Sequence, residues 1–448
     1  MSLSLVLCIL SFSLCYWASR RSLVSGVVSV LAIGYGYGIT RANLVETYSH
    51  FIFDAAVVGL YAAQLFHRLN LNEKFKTSHL IPWLEFLIAW PVLLFFVPVQ
   101  DYLIQFVGLR GSIFLLPFVF FGARLDESQR YRLALWVAGF NLVVFVLAGT
   151  EYFLGIESFF PHNRMTELIY VSKIVIGQAE YRIPASFVNA HAYGGTMVMG
   201  LPLLLGAAVQ KVKTTLQLQL LVAGIVAALL GVLMSGARTH FVAAAILVIV
   251  ATFSLRSKLG YALGWILLIA FIGWGISGEQ RLQRFMELRD TDAIAERISW
   301  SVNMTFVEVA GQYPFGNGLG GGGTSIPYFL QGRIINPVTL ENEYARIMLE
   351  QGLIGLLMWA LFVVWVTTRR DMDPYGPWYL GRRLARIATV TFFLTGLTGT
   401  GLLTSIPQTA LFLLLVGWVG ARQEVTEPVE GIADYDHVGA QFQVEQLV

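Results

Sequence analysis

A polytopic all-α bundle of membrane-spanning helices is the fold class this sequence predicts, and three observations predict it. Apolar residues make up 56% of the 448 and charged residues only 13%, against about 25% charged in soluble domains. The apolar residues come in repeated runs long enough to cross a bilayer. Basic residues gather in alternate connections between those runs, as the positive-inside rule describes. A soluble fold is excluded. The net charge of +2 decides little, because what matters is where charges sit relative to the bilayer.

The first run, Leu3 to Ala18, lacks the basic n-region of a signal peptide. Arg20 and Arg21 follow it instead, which makes it a first membrane helix ending in the cytoplasm. Further spans are expected at roughly 23–40, 51–66, 80–98, 108–122, 133–153, 187–209, 215–234, 239–254, 259–276, 343–367, 385–404 and 407–420. That is about thirteen spans, within a range of about 12–14. Cys8 and Cys15 share one helix with about 10 Å between their Cα atoms, too far for a disulfide. They read as small apolar packing groups.

With the N-terminus outside, the inside connections hold Arg20 and Arg21; Arg68, Lys74 and Lys76; Arg124, Arg130 and Arg132; Lys211 and Lys213; Arg256 and Lys258; and the cluster from Arg369 to Arg386. Two outside segments are long, 154–186 and 277–342. The membrane domain is therefore 1–422, with 277–342 its extracytoplasmic loop, and 423–448 an acidic cytoplasmic tail expected to be disordered. Asp54 and Glu85 are intramembrane carboxylates without an evident partner. No repeat and no basic run points to a nucleic acid.

The stretch around which the chain is organised runs from Pro314 to Gly355, PFGNGLGGGGTSIPYFLQGRIINPVTLENEYARIMLEQGLIG. Asn336-Pro337 looks like an N-cap and first helical residue, which puts Glu341, Asn342 and Tyr344 in the second turn of an apolar helix. The loop containing Gly318, Gly320 and Gly321 reads either as a cradle of backbone N–H groups for a phosphate or as a turn needing unusual backbone angles. It lacks the Gly-Lys-Ser/Thr ending of a nucleotide loop. Upstream, Ile294, Ile298, Val302, Phe306 and Val309 recur at helical spacing, so an amphipathic helix is expected from Asp292 to near Gly311, with Arg297 on its polar face or paired with a neighbouring acid. Arg238 lies in MSGARTH between two apolar runs. A charge held there binds a phosphate through two parallel hydrogen bonds or snorkels to headgroups. Arg182 precedes the helix that carries Asn189, His191 and Tyr193, groups suited to sugar hydroxyls, and Arg333 is a candidate by position. Arg346 has Glu343 and Glu350 at i−3 and i+4, so an internal ion pair is its cheaper explanation. No spacing suggests a metal site.

Four segments together, PFGNGLG with the following helix, Arg297 to Trp300 (RISW), Met234 to His240 and Arg182 to Gly194, resemble the O-antigen ligase and polymerase superfamily of integral membrane glycosyltransferases. They frame the second half of the chain. In ligases of that family the helix carries His followed by Asn, Ser or Gln, then nine residues, then Gly-x-x-Gly. Asn342, the nine-residue gap, Gly352 and Gly355 match here, while Glu341 stands in place of the His. The resemblance implies an undecaprenyl-diphosphate-linked oligosaccharide as substrate, no cofactor, and a site on the extracytoplasmic face of a bacterial inner membrane. Membrane lipids and a chain-length regulator or flippase are the partners it implies.

Three function classes follow. In a polymerase, Glu341 would act as general base on an acceptor hydroxyl while Arg182, Arg238 and Arg297 hold the diphosphate, giving a metal-independent inverting displacement. Asn342, Tyr344, Arg346, His191, His240 and Arg333 would contact substrate. A ligase would use the same donor site to glycosylate a lipid A core sugar or a protein. A transporter or flippase would instead place its polar groups and broken helices near the midplane.

Overall fold

The computed structural model describes residues 2–173, 181–210, 214–254, 258–275, 306–323 and 329–422 except 339, 341 and 370–375, with 292, 295, 299, 326 and 327 as isolated positions. Helix dominates and no strand is present among them. Six helices are long and apolar enough to cross a membrane, or seven if one bent pair is a single span. The chain is thus an all-α polytopic bundle. Several of the thirteen expected runs are realised as shorter or broken helices.

The first three helices form one packed unit. α1 (Leu3–Arg21) ends and α2 (Leu23–Asn43) begins at Ser22, whose extended backbone and side-chain cap serve the turn between them. α3 (Ile52–Leu65) packs on both. α4 (Leu71–Thr77) and α5 (Ile81–Phe95) are bent by 62° at the break between them, with a capping box of Asn70 and Glu73 opening α4. α6 (Tyr102–Ile113) and α7 (Pro117–Arg124) continue as one 23-residue span. α8 (Glu127–Leu154) opens on a capping box of Asp126 and Gln129. α9 (Glu167–Val171) lies within the long segment 154–186.

The centre is α10 (Ala190–Ala208), nearly all of whose residues are buried, with α11 (Thr215–Ser235), α12 (Arg238–Ser254) and α8 packed around it. α13 (Lys258–Gly275) packs on α12. After α14 (Glu308–Gln312) come α15 (Glu343–Thr367), α16 (Tyr379–Thr395) and α17 (Gln408–Gly420). α17 is buried along its whole length.

The span expected at 385–404 differs from what is seen. α16 stops at Thr395, and 396–407 is an irregular connection with Gly401 at φ 106°. Thr and Gly favour helix poorly, and the run Thr395 to Gly401 contains little else.

Contacts divide the molecule into two ends. At one, Arg124 bonds Glu73 and Gln64, Arg130 lies over Trp378 and Trp418, Arg382 donates to the carbonyls of Val419 and Ala421, and Arg422 N–H donates to Lys76. The basic connections of the sequence thus meet one another. The other end gathers the starts of α10, α12, α15 and α17. Within the bundle, Asp54 on α3 finds its partner in Arg110 on α6 through two 2.6 Å bonds. Glu85 stays exposed on α5. Cys8 and Cys15 are buried free thiols. The amphipathic segment from Asp292 falls mostly outside the described residues, as does the tail after Arg422.

Candidate functional site

The site begins with α15, which opens at Glu343 and not at Pro337. Asn336 has φ 51°, whereas a cap needs extended backbone, and Asn342 supplies it. The Asn342 side chain accepts the N–H groups of Tyr344 at 2.8 Å and Ala345 at 3.1 Å. Tyr344 is therefore in the first turn, and its hydroxyl donates to the Phe393 carbonyl at 2.9 Å. Both side chains are engaged in joining α15 to its surroundings. Glu341, the expected base, lies outside the described residues, and so does Arg297.

Within α15, Arg346 is fully buried between two carboxylates. Its Nε and one terminal nitrogen bond Glu343 at 3.0 and 2.6 Å, and the other bonds Glu350 at 2.9 Å. The second Glu343 oxygen accepts the Gly401 N–H at 2.8 Å. Arg346 is thus the hub of an internal ion cluster, the cheaper of its two sequence readings.

The glycine loop belongs to the same packing. Gly316, Gly318, Gly320 and Gly323 all have positive φ. A Cβ on Gly318 would stand 2.8 Å from Val99, and one on Gly320 2.6 Å from the Ile104 carbonyl. A Cβ on Gly321 would come within 3.0 Å of the Asn317 and Gly318 carbonyls. The amides of Gly320 and Gly322 face Glu350, although Glu350 Oε1 makes no hydrogen bond of full geometry. The expected phosphate cradle is turned toward the protein's own carboxylate.

Gly352 explains why this loop and α15 occur together. Its φ of 68° interrupts the helix. The Leu349 carbonyl and the Leu353 N–H, partners in an unbroken helix, bond Asn317 N–H at 2.5 Å and the Pro314 carbonyl at 3.1 Å instead. The segment Pro314 to Asn317 fills the break. Asn317 is held in turn by Gln100, and Trp90 Nε1 donates to the Gln351 carbonyl at 3.0 Å, close to Gly355.

Arg182 reaches the turn between α11 and α12, which leads into Arg238. Gly236 closes α11 at φ 60°, and a Cβ there would stand 3.8 Å from Arg182 Cγ and Cδ. Arg182 thus lies across the turn that presents Arg238, with its buried Nε making no hydrogen bond. Two residues on, His240 is buried with neither ring nitrogen partnered. Its ring centroid is 4.3 Å from that of His191, which Asn189 places by capping α10.

His191 lines a small recess of about 20 Å³ together with Thr395, Gly396, Gly399, Thr400, Gly401 and Gln408. Except for His191, these residues are absent from the sequence expectation. The signal was present as the alternating Thr and Gly of 395–401, but a hydropathy reading carries the helix straight through it. The pocket touches the α15 start through Glu343 and Gly401. Arg333 does not line it; that arginine is exposed, 3.9 Å from Asp101. On the other side of the same connection, Asp54, Arg110, Phe114 and Thr404 line a second recess. Nearby, burial and the cations Arg41 and Arg110 push the His50 imidazole down to about 4. Among the described residues, no cluster of three metal-ligating side chains occurs. Neither a protein-family model nor a functionally described protein matches the chain.

Proposed function

We propose that this protein is a membrane glycosyltransferase that polymerises lipid-diphosphate-linked glycan repeat units on the extracytoplasmic side of the inner membrane. One observation carries the reading. Three segments distant in sequence touch at one end of the bundle: Arg182 lies against the Gly236 turn, His191 against His240, and Glu343 accepts the N–H of Gly401, which lines the same pocket as His191.

The chemistry follows from the groups available there. Arg182 and Arg238 supply positive charge for a departing diphosphate, and a guanidinium fork pairs two phosphate oxygens at once. Glu341, next in sequence to the Asn342 cap, takes the proton of the acceptor hydroxyl as that oxygen attacks the anomeric carbon. The diphosphate leaves from the opposite side, and the configuration inverts. Asn342, Tyr344 and Arg346 hold α15 in position.

The helix break at Gly352 would favour a transporter if it opened into a cavity. It is filled by Pro314 to Asn317, which weighs against that reading. The deciding experiment incubates purified protein with defined lipid-diphosphate oligosaccharides and reads product length by mass spectrometry. A ladder of repeat units is expected. A single addition to a different acceptor means a ligase, and no transfer at all overturns the glycosyltransferase reading. In the same assay Glu341→Gln should lower chain extension by about 10²-fold or more, the scale of a lost general base, with donor binding retained.

A further inference from the structure

We propose that Glu151 is a positioning residue: its carboxylate holds Ala185 in a left-handed backbone conformation and so fixes where Arg182 lies. The consequence for glycan transfer rests on the glycosyltransferase reading; the hold itself rests on geometry. Glu151 is 1% exposed in the last turn of α8, where a carboxylate faces the helix's own carbonyl end. A buried intramembrane acid is costly, and no ion pair among the described residues offsets that cost for Glu151. Its Oε1 makes no hydrogen bond, and its Oε2 accepts the Ala185 N–H at 2.9 Å. That partner is unusual. Ala185 has φ 49°, a value that among the described residues with a side chain only Asn336 approaches. A Cβ disfavours this conformation, which persists where the surroundings hold it.

On the C-terminal side of Ala185 the chain is fixed to α2. The Ser186 carbonyl accepts the Ile39 N–H at 3.0 Å, and the Ser186 hydroxyl donates to the Tyr35 carbonyl. A Cβ on Gly38 would stand 2.0 Å from the backbone of Phe187, so that contact leaves no room for a shift. Asn189 then caps α10, which carries His191. On the N-terminal side is Arg182, whose N–H donates to the Ser172 carbonyl at 3.2 Å and whose side chain lies against the Gly236 turn. Because 186 and 187 cannot follow, a change of φ at Ala185 would displace Arg182 relative to α10 and to that turn. Glycine adopts positive φ without such a hold, which supplies a diagnostic variant.

The test uses full-length protein in nanodiscs, with kcat and donor KM measured on a lipid-diphosphate oligosaccharide. Glu151→Leu removes the acceptor. Donor KM should rise about tenfold, the value of a lost hydrogen bond to a charged group, with kcat less affected, since Arg182 is expected to bind the diphosphate in ground and transition states alike. Glu151→Gln keeps an acceptor oxygen and should keep most of the donor affinity. Adding Ala185→Gly to Glu151→Leu should restore donor KM, whereas adding Glu151→Leu to Arg182→Ala should change it little. Unchanged KM in Glu151→Leu, or a rise that Ala185→Gly leaves in place, overturns the proposal. If Glu151→Leu alone does not fold, the double variant with Ala185→Gly decides: it should fold with near wild-type KM, and its failure to fold also overturns the proposal. Hydrogen exchange across 182–189 reads the hold without any transfer. It should be slow in wild type and about tenfold faster in Glu151→Leu; equal rates overturn the hold. Accelerated exchange in a protein that extends no donor supports the hold and refutes the polymerase.

Discussion

Arg346 and Arg238 are both membrane-embedded cations by sequence, yet their surroundings assign them opposite tasks. Arg346 neutralises Glu343 and Glu350 in the interior. Arg346→Met should therefore destabilise the protein by about 3–5 kcal/mol, because two buried carboxylates lose their partner. The triple variant Arg346→Met, Glu343→Gln, Glu350→Gln should recover much of that loss, and thermal unfolding in detergent measures both. Arg238 is half-buried at a helix start, two residues after the Gly236 turn on which Arg182 lies. Arg238→Lys should lower glycan transfer substantially and Arg238→Ala further, with folding little changed, since Lys keeps charge but loses the planar fork. Normal turnover in both variants would leave Arg238 as an anchor to headgroups. The i−3 and i+4 acids made the Arg346 cluster readable in advance. The contact of Arg182 with Gly236 spans more than fifty positions and has no local signal.

At the scale of elements, Gly352 couples the two parts of the signature. Its positive φ is a position where side chains are strained, and a Cβ would stand 2.9 Å from the Phe315 carbonyl. Gly352→Ala should cost about 1–3 kcal/mol and reduce transfer, since Pro314 to Asn317 would be displaced from the break. Gly311→Ala is the comparison, because nothing lies within 4 Å of its added Cβ; it should unfold at or slightly above the wild-type temperature. Equal unfolding temperatures for Gly352→Ala and wild type would show that the break tolerates a side chain. The spacing from Asn342 to Gly352 and Gly355 was visible as a pattern. Its physical content, a helix interrupted so that a distant loop can dock, depends on hydrogen bonds to Pro314 and Asn317.

For the whole molecule, the positive-inside pattern becomes a statement about two ends. Arg124, Arg130, Arg382 and Arg422 are joined at one, and the pocket lined by His191 lies at the other. We expect the first end to be cytoplasmic. Ser128→Cys and Gln331→Cys test this, both positions being exposed and the native thiols buried. An impermeant thiol reagent added outside intact spheroplasts should label position 331 and spare position 128. The reverse pattern would put the pocket on the cytoplasmic side.

Sequence by itself determined the membrane class, the approximate helices and the alternation of basic connections. Each is a property of a residue and its near neighbours, chiefly the free energy of moving a side chain between water and lipid. Tertiary structure alone decided where α15 begins, which glycine run is packed and which is open, and which arginine is consumed internally. Those outcomes depend on which N–H reaches which oxygen. Gly401 meets Glu343 and Asn317 meets Leu349 only after the bundle has brought them together.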